Sequence, residues 1–362
     1  MRSVGVEEEL LLVDPESGEP RAMSSAVMAV AARGGEADFE AELHREQLEF
    51  ATRPHEMMSD LAQDIVRWRG AAADHAETLG GTTAALATSP LPVSPTVGTG
   101  TRHQWLAEEF GLTTQEQLTC GCHVHVFVAS DDEGVAVLNR IRPWLSVLVA
   151  LSANSPFWQG KDSGYSSYRS RVWGRWPSAG PVDLFEDAAS YHREIQAMVD
   201  TGVIRDKGMV YFDARLSAAH PTVEVRVADV CLEPSTTVLL AMLVRGLVET
   251  AARDWRRGEP AAAHPVTLLR LASWRAGRSG LDEQLVSPLL MRPVPARSAV
   301  ESLLEHVRPA LEDAGDYEEA RILLSRLLRE GNGAHVQRDT LRRTGSLHEV
   351  VAECVRRTHS GL

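Results

Sequence analysis

Residues 4–14 read Val-Gly-Val-Glu-Glu-Glu-Leu-Leu-Leu-Val-Asp, three consecutive carboxylates inside an apolar, β-favouring run. The alternation of a strand puts Glu7 and Glu9 on one face and Glu8 on the other. Two carboxylates on one face, roughly 6–7 Å apart at the usual strand rise, repel each other unless cations lie between them. A solvated acidic edge strand is the plain alternative for this stretch taken alone. The choice depends on whether other stretches supply matching partners.

The chain has 362 residues, 44% hydrophobic and 24% charged, an ordinary globular composition. Its length suits two or three domains or one large α+β unit. A formal net charge of −13 argues against a general nucleic-acid surface. The basic residues are nearly all arginine, with Lys161 and Lys207 the only lysines; arginine suits forked contacts to phosphate and carboxylate. The four cysteines, Cys120, Cys122, Cys231 and Cys354, are too scattered for a disulfide framework. The start of the chain reads as a strand rather than a signal pattern. The richest apolar run, Trp144 to Ala153, is too short to span a bilayer. The expectation is a cytoplasmic enzyme or binding protein with no membrane and no nucleic-acid partner.

Several further stretches alternate. In Gly121 to Ala129, His123, His125 and Phe127 face one way and Val124, Val126 and Val128 the other. Tyr211, Asp213 and Arg215 share a face, as do Thr222, Glu224 and Arg226, and the turn between them predicts an antiparallel hairpin with one polar face. Phe39 to Thr52 is acidic and becomes strand-like towards Phe50, and Thr83 to Thr88 reads as a short strand. Helices are expected over Ser24 to Ala32, from an N-cap at Ser59 to near Gly80 with Leu61, Ile65, Trp68 and Ala72 on one stripe, over Val135 to Ser152 with a kink at Pro143, and over Ala188 to Asp200. Asn154 to Pro181 reads as a long aromatic-rich loop, a functional candidate. From Ser235 onward the pattern is helical: Thr237 to Arg256, Val266 to Ala276, Ala299 to Ala314, Tyr317 to Arg329 and Leu347 to Arg357. A strand-rich first part, residues 1–232, followed by a helical part, residues 233–362, predicts the α+β class in a single unit.

The polar strand faces carry Glu7/Glu9, His123/His125, Asp213/Arg215 and Glu224/Arg226. Carboxylates with imidazole make a hard-cation site suited to Mg²⁺ or Mn²⁺, and arginines are what phosphoryl transfer needs to hold a nucleotide. Zinc fits poorly, because strand alternation points Cys120 and Cys122 away from both histidines. Gly160-Lys161-Asp162 lacks the spacing of a phosphate loop, and no Rossmann fingerprint or nucleophile elbow is present.

The motifs Gly5–Glu9 (Gly-Val-Glu-Glu-Glu), Gln47–Phe50 (Gln-Leu-Glu-Phe), Gly121–His125 (Gly-Cys-His-Val-His), the loop from Asn154-Ser-Pro through Tyr168–Arg171 (Tyr-Arg-Ser-Arg), and Thr222–Arg226 (Thr-Val-Glu-Val-Arg) resemble the carboxylate–amine ligase family of the glutamate–cysteine ligase type 2 group. The resemblance runs to Trp274–Arg278 and on through Gly331–His335 (Gly-Asn-Gly-Ala-His). It implies a glutamine synthetase-like fold, a curved, mainly antiparallel sheet with helices outside and a concave face for ATP, divalent metals and an amino acid. It implies metal-ligand roles for Glu7, Glu9, Glu42, Glu49, His123 and Glu224. Glu7, His123 and Glu224 would form one site and Glu9, Glu49 and Glu42 another. Arg226 resembles the arginine that contacts the transferred phosphate, with Arg169, Arg171 and Arg215 as further substrate or phosphate contacts. Five carboxylates in one cleft need about two or three Mg²⁺ to neutralise them. Glu8 is expected to be solvated or paired, and His125 to lie behind the ligands or in packing.

The implied reaction activates a carboxylate, glutamate foremost, as an acyl phosphate that an amine such as cysteine attacks, giving γ-glutamylcysteine. Thr101–Trp105 departs from the aromatic-basic pattern expected there, and no residue marks the amine pocket. A metal-dependent phosphate-ester hydrolase and a non-catalytic nucleotide-binding relative are the competing readings, and a homo-oligomer is a reasonable expectation.

Overall fold

A computed structural model describes residues 1–35 and 39–361. Its centre is β1 (Val4–Val13), the longest strand, whose neighbours take different stretches of its length. β2 (Phe39–Ala41) pairs with β3 (Gln47–Ala51), which lies along one edge of β1 over Glu7–Leu11. The opposite edge is shared: β4 (Thr82–Ala84) takes Leu11–Val13 and β5 (Gly121–Phe127) takes Val4–Glu8. The short hairpin β6 (Phe157–Trp158) and β7 (Lys161–Asp162) stands apart. β8 (Ala214–Leu216) and β9 (Thr222–Asp229) complete the sheet in the order β2-β3-β1-β5-β9-β8, antiparallel throughout. A second small hairpin joins β10 (Gln284–Val286) and β11 (Pro293–Pro295).

Alternation divides the sheet as the sequence predicts. Val4, Val6, Val124, Val126, Val223 and Val225 are buried together on one face, against the helices Met58–Glu77, Asp131–Ile141, Leu145–Ser152 and Pro234–Arg256. Leu61, Ile65, Trp68 and Ala72 are the buried stripe of the first of these helices. Helices 131–152 and Pro234–Arg256 are long and apolar enough to suit a bilayer, beyond the run seen in the sequence, but most of their length is buried inside the fold. They are core helices, packed on several sides at once.

Several local expectations are corrected. Ser59 is not a cap: the helix starts at Met58 behind Met57, whose backbone is extended, and ends at Glu77. β4 stops at Ala84 rather than Thr88, because β5 occupies the rest of that edge of β1. Tyr211 and Asp213 precede the strand instead of belonging to it. The helix from Val135 begins earlier, at Asp131, where Ser130 accepts a hydrogen bond from the Glu133 N–H, and a 3₁₀ turn over Arg142–Trp144 absorbs Pro143. The long loop contains β6, β7 and a one-turn helix, Arg169–Trp173. Helices Thr101–Phe110 and Gly333–Thr344 were not expected.

The base of the long loop is pinned by polar contacts. The Asp229 carboxylate, at the end of β9, accepts from the Asn154 N–H (2.8 Å), Ser155 Oγ (2.7 Å) and Ser167 Oγ (2.8 Å). Asn154 Nδ2 donates to Ala85 O and Val230 O. Gln337 Nε2, from the helix Gly333–Thr344, donates to Asn154 O (3.0 Å) and Oδ1 (2.7 Å). A Cβ at Gly333 would lie 2.0 Å from Asn154 Oδ1, so only glycine permits this approach. The Gly331–His335 motif thus ties the C-terminal helices to the loop that carries Arg169 and Arg171.

Candidate active site

Cross-strand register places the ionisable groups of the polar face. Glu7 lies opposite His123, Glu9 opposite Glu49, and His125 and Arg215 each opposite Glu224. Between the pairs Cys122↔Ala228 and Val124↔Val225, β9 holds one residue more than β5. The bulge falls at Arg226–Val227, opposite His123, and bulges beside active sites commonly re-aim a side chain. Here it accompanies a buried arginine whose guanidinium lies 5.8 Å from the Trp173 ring centroid and 6.0 Å from that of Tyr211.

Two adjoining cavities share Arg226, Trp173 and Trp176. The first, about 380 Å³, is acidic, and its walls include Glu7, Glu9, Glu42, Glu49, His123 and Arg215. The second, about 440 Å³, is basic and is lined among others by Arg169, Arg171, Arg175, Arg270 and Asp213. Every carboxylate and arginine given a metal, substrate or phosphate role from the sequence, except Glu224, therefore faces one cavity or the other. Glu224 is buried just behind, accepting from Arg215 Nε (2.7 Å) and from Arg226.

Glu7 accepts from or abuts both imidazoles, 3.1 Å from His123 Nδ1 and 3.1 Å from His125 Nε2. Burial alone would raise its pKa, but hydrogen bonds from the two histidines outweigh burial and hold it well below the usual carboxylate range. Glu9, although it accepts from the Gly121 N–H at 2.7 Å, is pushed up to about 8 by burial and then by the Glu42 charge. Glu49 is likewise raised by burial and by Glu42. In Glu224 burial is outweighed by Arg226 and Arg215, which bring it to about 2. His123 is lowered to about 4 by burial and Arg226, so its imidazole is neutral and suited to ligation.

This donor set fits divalent cations. The ligand atoms of Glu7, Glu49 and His123 lie within 4.8 Å of one another, as do those of Glu7, His125 and Glu224. His123 Nε2 is buried with no hydrogen-bond partner among the described residues. The arrangement differs from the expected grouping. Glu7 sits between two triads, Glu49 lies with Glu7 and His123 as well as opposite Glu9, and His125 lies between Glu7, 3.1 Å from its Nε2, and Thr222 Oγ1, 3.0 Å from its Nδ1. Glu8, by contrast, is fully buried on the other face, held by Arg69 at 2.8 and 2.7 Å and by Thr237 Oγ1 at 2.6 Å.

Arg169 is 1% exposed, and its Nε and Nη2 have no hydrogen-bond partner among the described residues. Its Nη2 lies 2.3 Å from where a Cβ on Gly121 would stand, so the glycine of the Gly121–His125 motif makes room for the guanidinium. Arg102 and His103, in the Thr101–Trp105 stretch that departs from the family pattern, line the acidic cavity, and Arg270 lines the basic one; no local pattern marks Arg270, whose place depends on segments distant in sequence.

Residues 3–356 match the model of the glutamate–cysteine ligase family 2. The chain belongs to that family. A Streptomyces avermitilis protein provisionally named glutamate–cysteine ligase 2-1 is 62% identical over 99% of both chains. A Streptomyces coelicolor protein provisionally named glutamate–cysteine ligase 2 is 61% identical over 99% of this chain and 100% of its own. Among solved structures, the glutamate–cysteine ligase of Francisella tularensis in complex with AMP superposes with a TM-score of 0.69 at 13% identity, covering 99% of this chain and 88% of that one. A bifunctional glutathione synthetase from Pasteurella multocida gives 0.72 at 14% identity, over 99% of this chain and 52% of that one. At such identities the likeness concerns the fold, which is the glutamine synthetase-like fold expected from the sequence. As a member of this family the protein is an ATP-dependent carboxylate–amine ligase acting on small molecules.

Proposed function

We propose that the protein activates the side-chain carboxylate of glutamate with ATP and joins it to an amine, cysteine being the first to test. The observation that carries this reading is the junction at Arg226, where an acidic cleft fitted for cations meets a basic cavity fitted for anions. Glu7, Glu9, Glu42, Glu49, His123 and Glu224, with His125 beside them, would hold Mg²⁺ or Mn²⁺. Such ions supply charge neutralisation for the phosphates of ATP and for the leaving ADP.

The chain's own groups do the rest. Arg226 reaches the junction with its guanidinium beside the Trp173 and Tyr211 rings and its Nε without a hydrogen-bond partner among the described residues, which suits a transferring phosphoryl group. Arg215 holds Glu224 in place, and Arg169 and Arg171 offer charge to phosphate or carboxylate oxygens. The γ-phosphoryl group passes to the substrate carboxylate, giving an acyl phosphate and ADP. The amine then attacks the acyl carbon, the C–O bond to phosphate breaks, and amide and inorganic phosphate leave. Trp173, Trp176 and Tyr211 wall the junction with apolar surface and limit the water that would hydrolyse the acyl phosphate.

ADP release with Mg²⁺ and ATP, measured for glutamate against a panel of amines, tests the reading. Amine-dependent ADP release with the matching amide product is expected. ADP release indifferent to every amine, or phosphate-ester hydrolysis without ATP, overturns it.

A further inference from the structure

Beyond Glu49 the wall of the acidic cleft turns neutral. Gln47 stands next to Glu49 on the same face of β3, opposite Leu11 of β1. Its Nε2 donates to the Thr119 carbonyl at 2.8 Å, and a carbonyl can only accept, so the amide is oriented and Oε1 is its open atom. That oxygen is buried with no hydrogen-bond partner among the described residues, and so is Gln117 Oε1. Both side chains line the cleft, and they are only 2% and 3% exposed. A buried amide oxygen without a donor is costly, so this pair calls for one from a ligand.

Hydrocarbon lies beside them. Leu43, in the connection between β2 and β3 that leads to Gln47, lines the same cleft, as does Leu106. Thr114, just before Gln117 in the chain, holds Leu106 by donating its hydroxyl to Leu106 O at 2.7 Å. Fixed positive charge is committed elsewhere: Arg102 donates to Asp206, and Arg215 and Arg226 both donate to Glu224. His103 carries no fixed charge.

We propose that this neutral end receives the attacking amine, and that the amine carries no carboxylate of its own: a simple aliphatic amine rather than an α-amino acid. Its N–H groups meet Gln47 Oε1 and Gln117 Oε1, and its carbon chain lies against Leu43 and Leu106. Glu9 borders the same cleft and lies near enough to Arg226 to feel its charge, which links this end to the junction where the acyl phosphate forms. An α-amino acid would bring a carboxylate to a wall of acceptors, with no uncommitted guanidinium to meet it. The inference rests on the ligase reading and narrows its amine to a class that excludes cysteine as the preferred substrate.

The test compares amino acids with the amines that remain when their carboxylate is removed: cysteine with cysteamine, and alanine with ethylamine. ADP release and amide product are measured for the full-length protein with Mg²⁺, ATP and glutamate, and for Gln117→Met and Gln47→Met. Cysteamine and ethylamine should each exceed their amino-acid counterpart by about tenfold or more in kcat/KM. Gln117→Met gives up only a long contact to Thr119 Oγ1, 3.4 Å, and should keep the fold. It should raise the KM for ethylamine about tenfold, with the KM for ATP, the KM for glutamate and the Mn²⁺ affinity within about twofold of their original values. Gln47→Met should act in the same direction; if either variant fails to fold, the comparison on the unaltered protein still decides.

Use of cysteine equal to or better than cysteamine overturns the inference and leaves the ligase reading standing. A Gln117→Met variant that raises the KM for ATP, or weakens Mn²⁺, with the KM for ethylamine unchanged also overturns it, because the amide oxygens would then serve the nucleotide or metal-bound water. If none of the four amines supports ADP release, the ligase reading and this inference fall together.

Discussion

Three consecutive glutamates on β1 meet opposite fates. Glu8 is completed within the protein, by a bidentate contact from Arg69 and a hydroxyl from Thr237. On the other face, one residue away, Glu7 is held by His123 and His125, whereas Glu9 is pushed up to about 8 by burial and then by the Glu42 charge. Glu8 is a buried charge completed by its partner in the chain, whereas Glu9 has only the Gly121 N–H as a hydrogen-bond donor among the described residues. The same contrast separates Asp229, saturated by Asn154, Ser155 and Ser167, from Asp213 in the basic cavity.

The sharpest way to break this contrast is to remove the internal partner. Arg69→Ala strands the fully buried Glu8, and a loss of about 3–5 kcal/mol in chemical denaturation is expected. A loss below about 1 kcal/mol would mean that Glu8 is no more committed to the fold than its neighbours. On the other face the sign should differ. Glu9→Gln relieves repulsion, so the metal-free protein should melt no lower than the original, while turnover falls on the order of 10²–10³-fold. Melting well below the original, with turnover retained, would place Glu9 with Glu8. Glu224→Gln should lose turnover and Mn²⁺ affinity together, with some loss of stability because Arg215 and Arg226 lose their shared carboxylate; unchanged turnover would remove it from the ligand set.

A smaller effect is expected where the loop carrying Arg169 is anchored. Gly333→Ala drives a methyl group into Asn154, and about 1–3 kcal/mol of overpacking cost is expected, with a fall in turnover as Arg169 shifts. Stability lost without any change in turnover would show that the loop is held in place without this contact.

The smallest effect concerns pH. Glu133 accepts from Arg2, Arg256 and the Ala129 N–H, and these outweigh burial to hold it at about 2, against an ordinary value of 4.5. Its folded pKa is depressed, so its contribution is complete above about pH 4.5 and lost as the pH falls towards and through 2. Glu133→Gln should flatten the acid limb of the stability profile in that window and leave the profile near neutrality parallel to the original.

Much of the site is legible in the sequence because strand alternation is local. The parity of Glu7 and Glu9 against Glu8, and of His123 and His125 against Cys120 and Cys122, follows from a period of two and needs no knowledge of neighbours. The helical stripe Leu61, Ile65, Trp68 and Ala72 is legible for the same reason, with a different period. The start of that helix is not legible at Ser59, because the chain enters through the extended Met57 without a side-chain cap. The extent of β4 is not legible locally, because a strand ends where its partner's edge is already taken, and that depends on β5, which comes later in the chain.

The sequence by itself therefore determined which carboxylates share a face, that imidazoles and arginines stand on matching faces, and the family that this ordered set belongs to. The tertiary structure decided which of them meet. Register between β1, β3, β5 and β9 set Glu7 between His123 and His125, and the bulge at Arg226–Val227 accompanies the arginine at the boundary of two cavities. Packing of distant segments brought Asp213 and Arg270 to one wall. Side-chain direction along a strand is fixed by covalent geometry, whereas the partner across a cavity is chosen by the whole balance of burial and charge, which no local stretch contains.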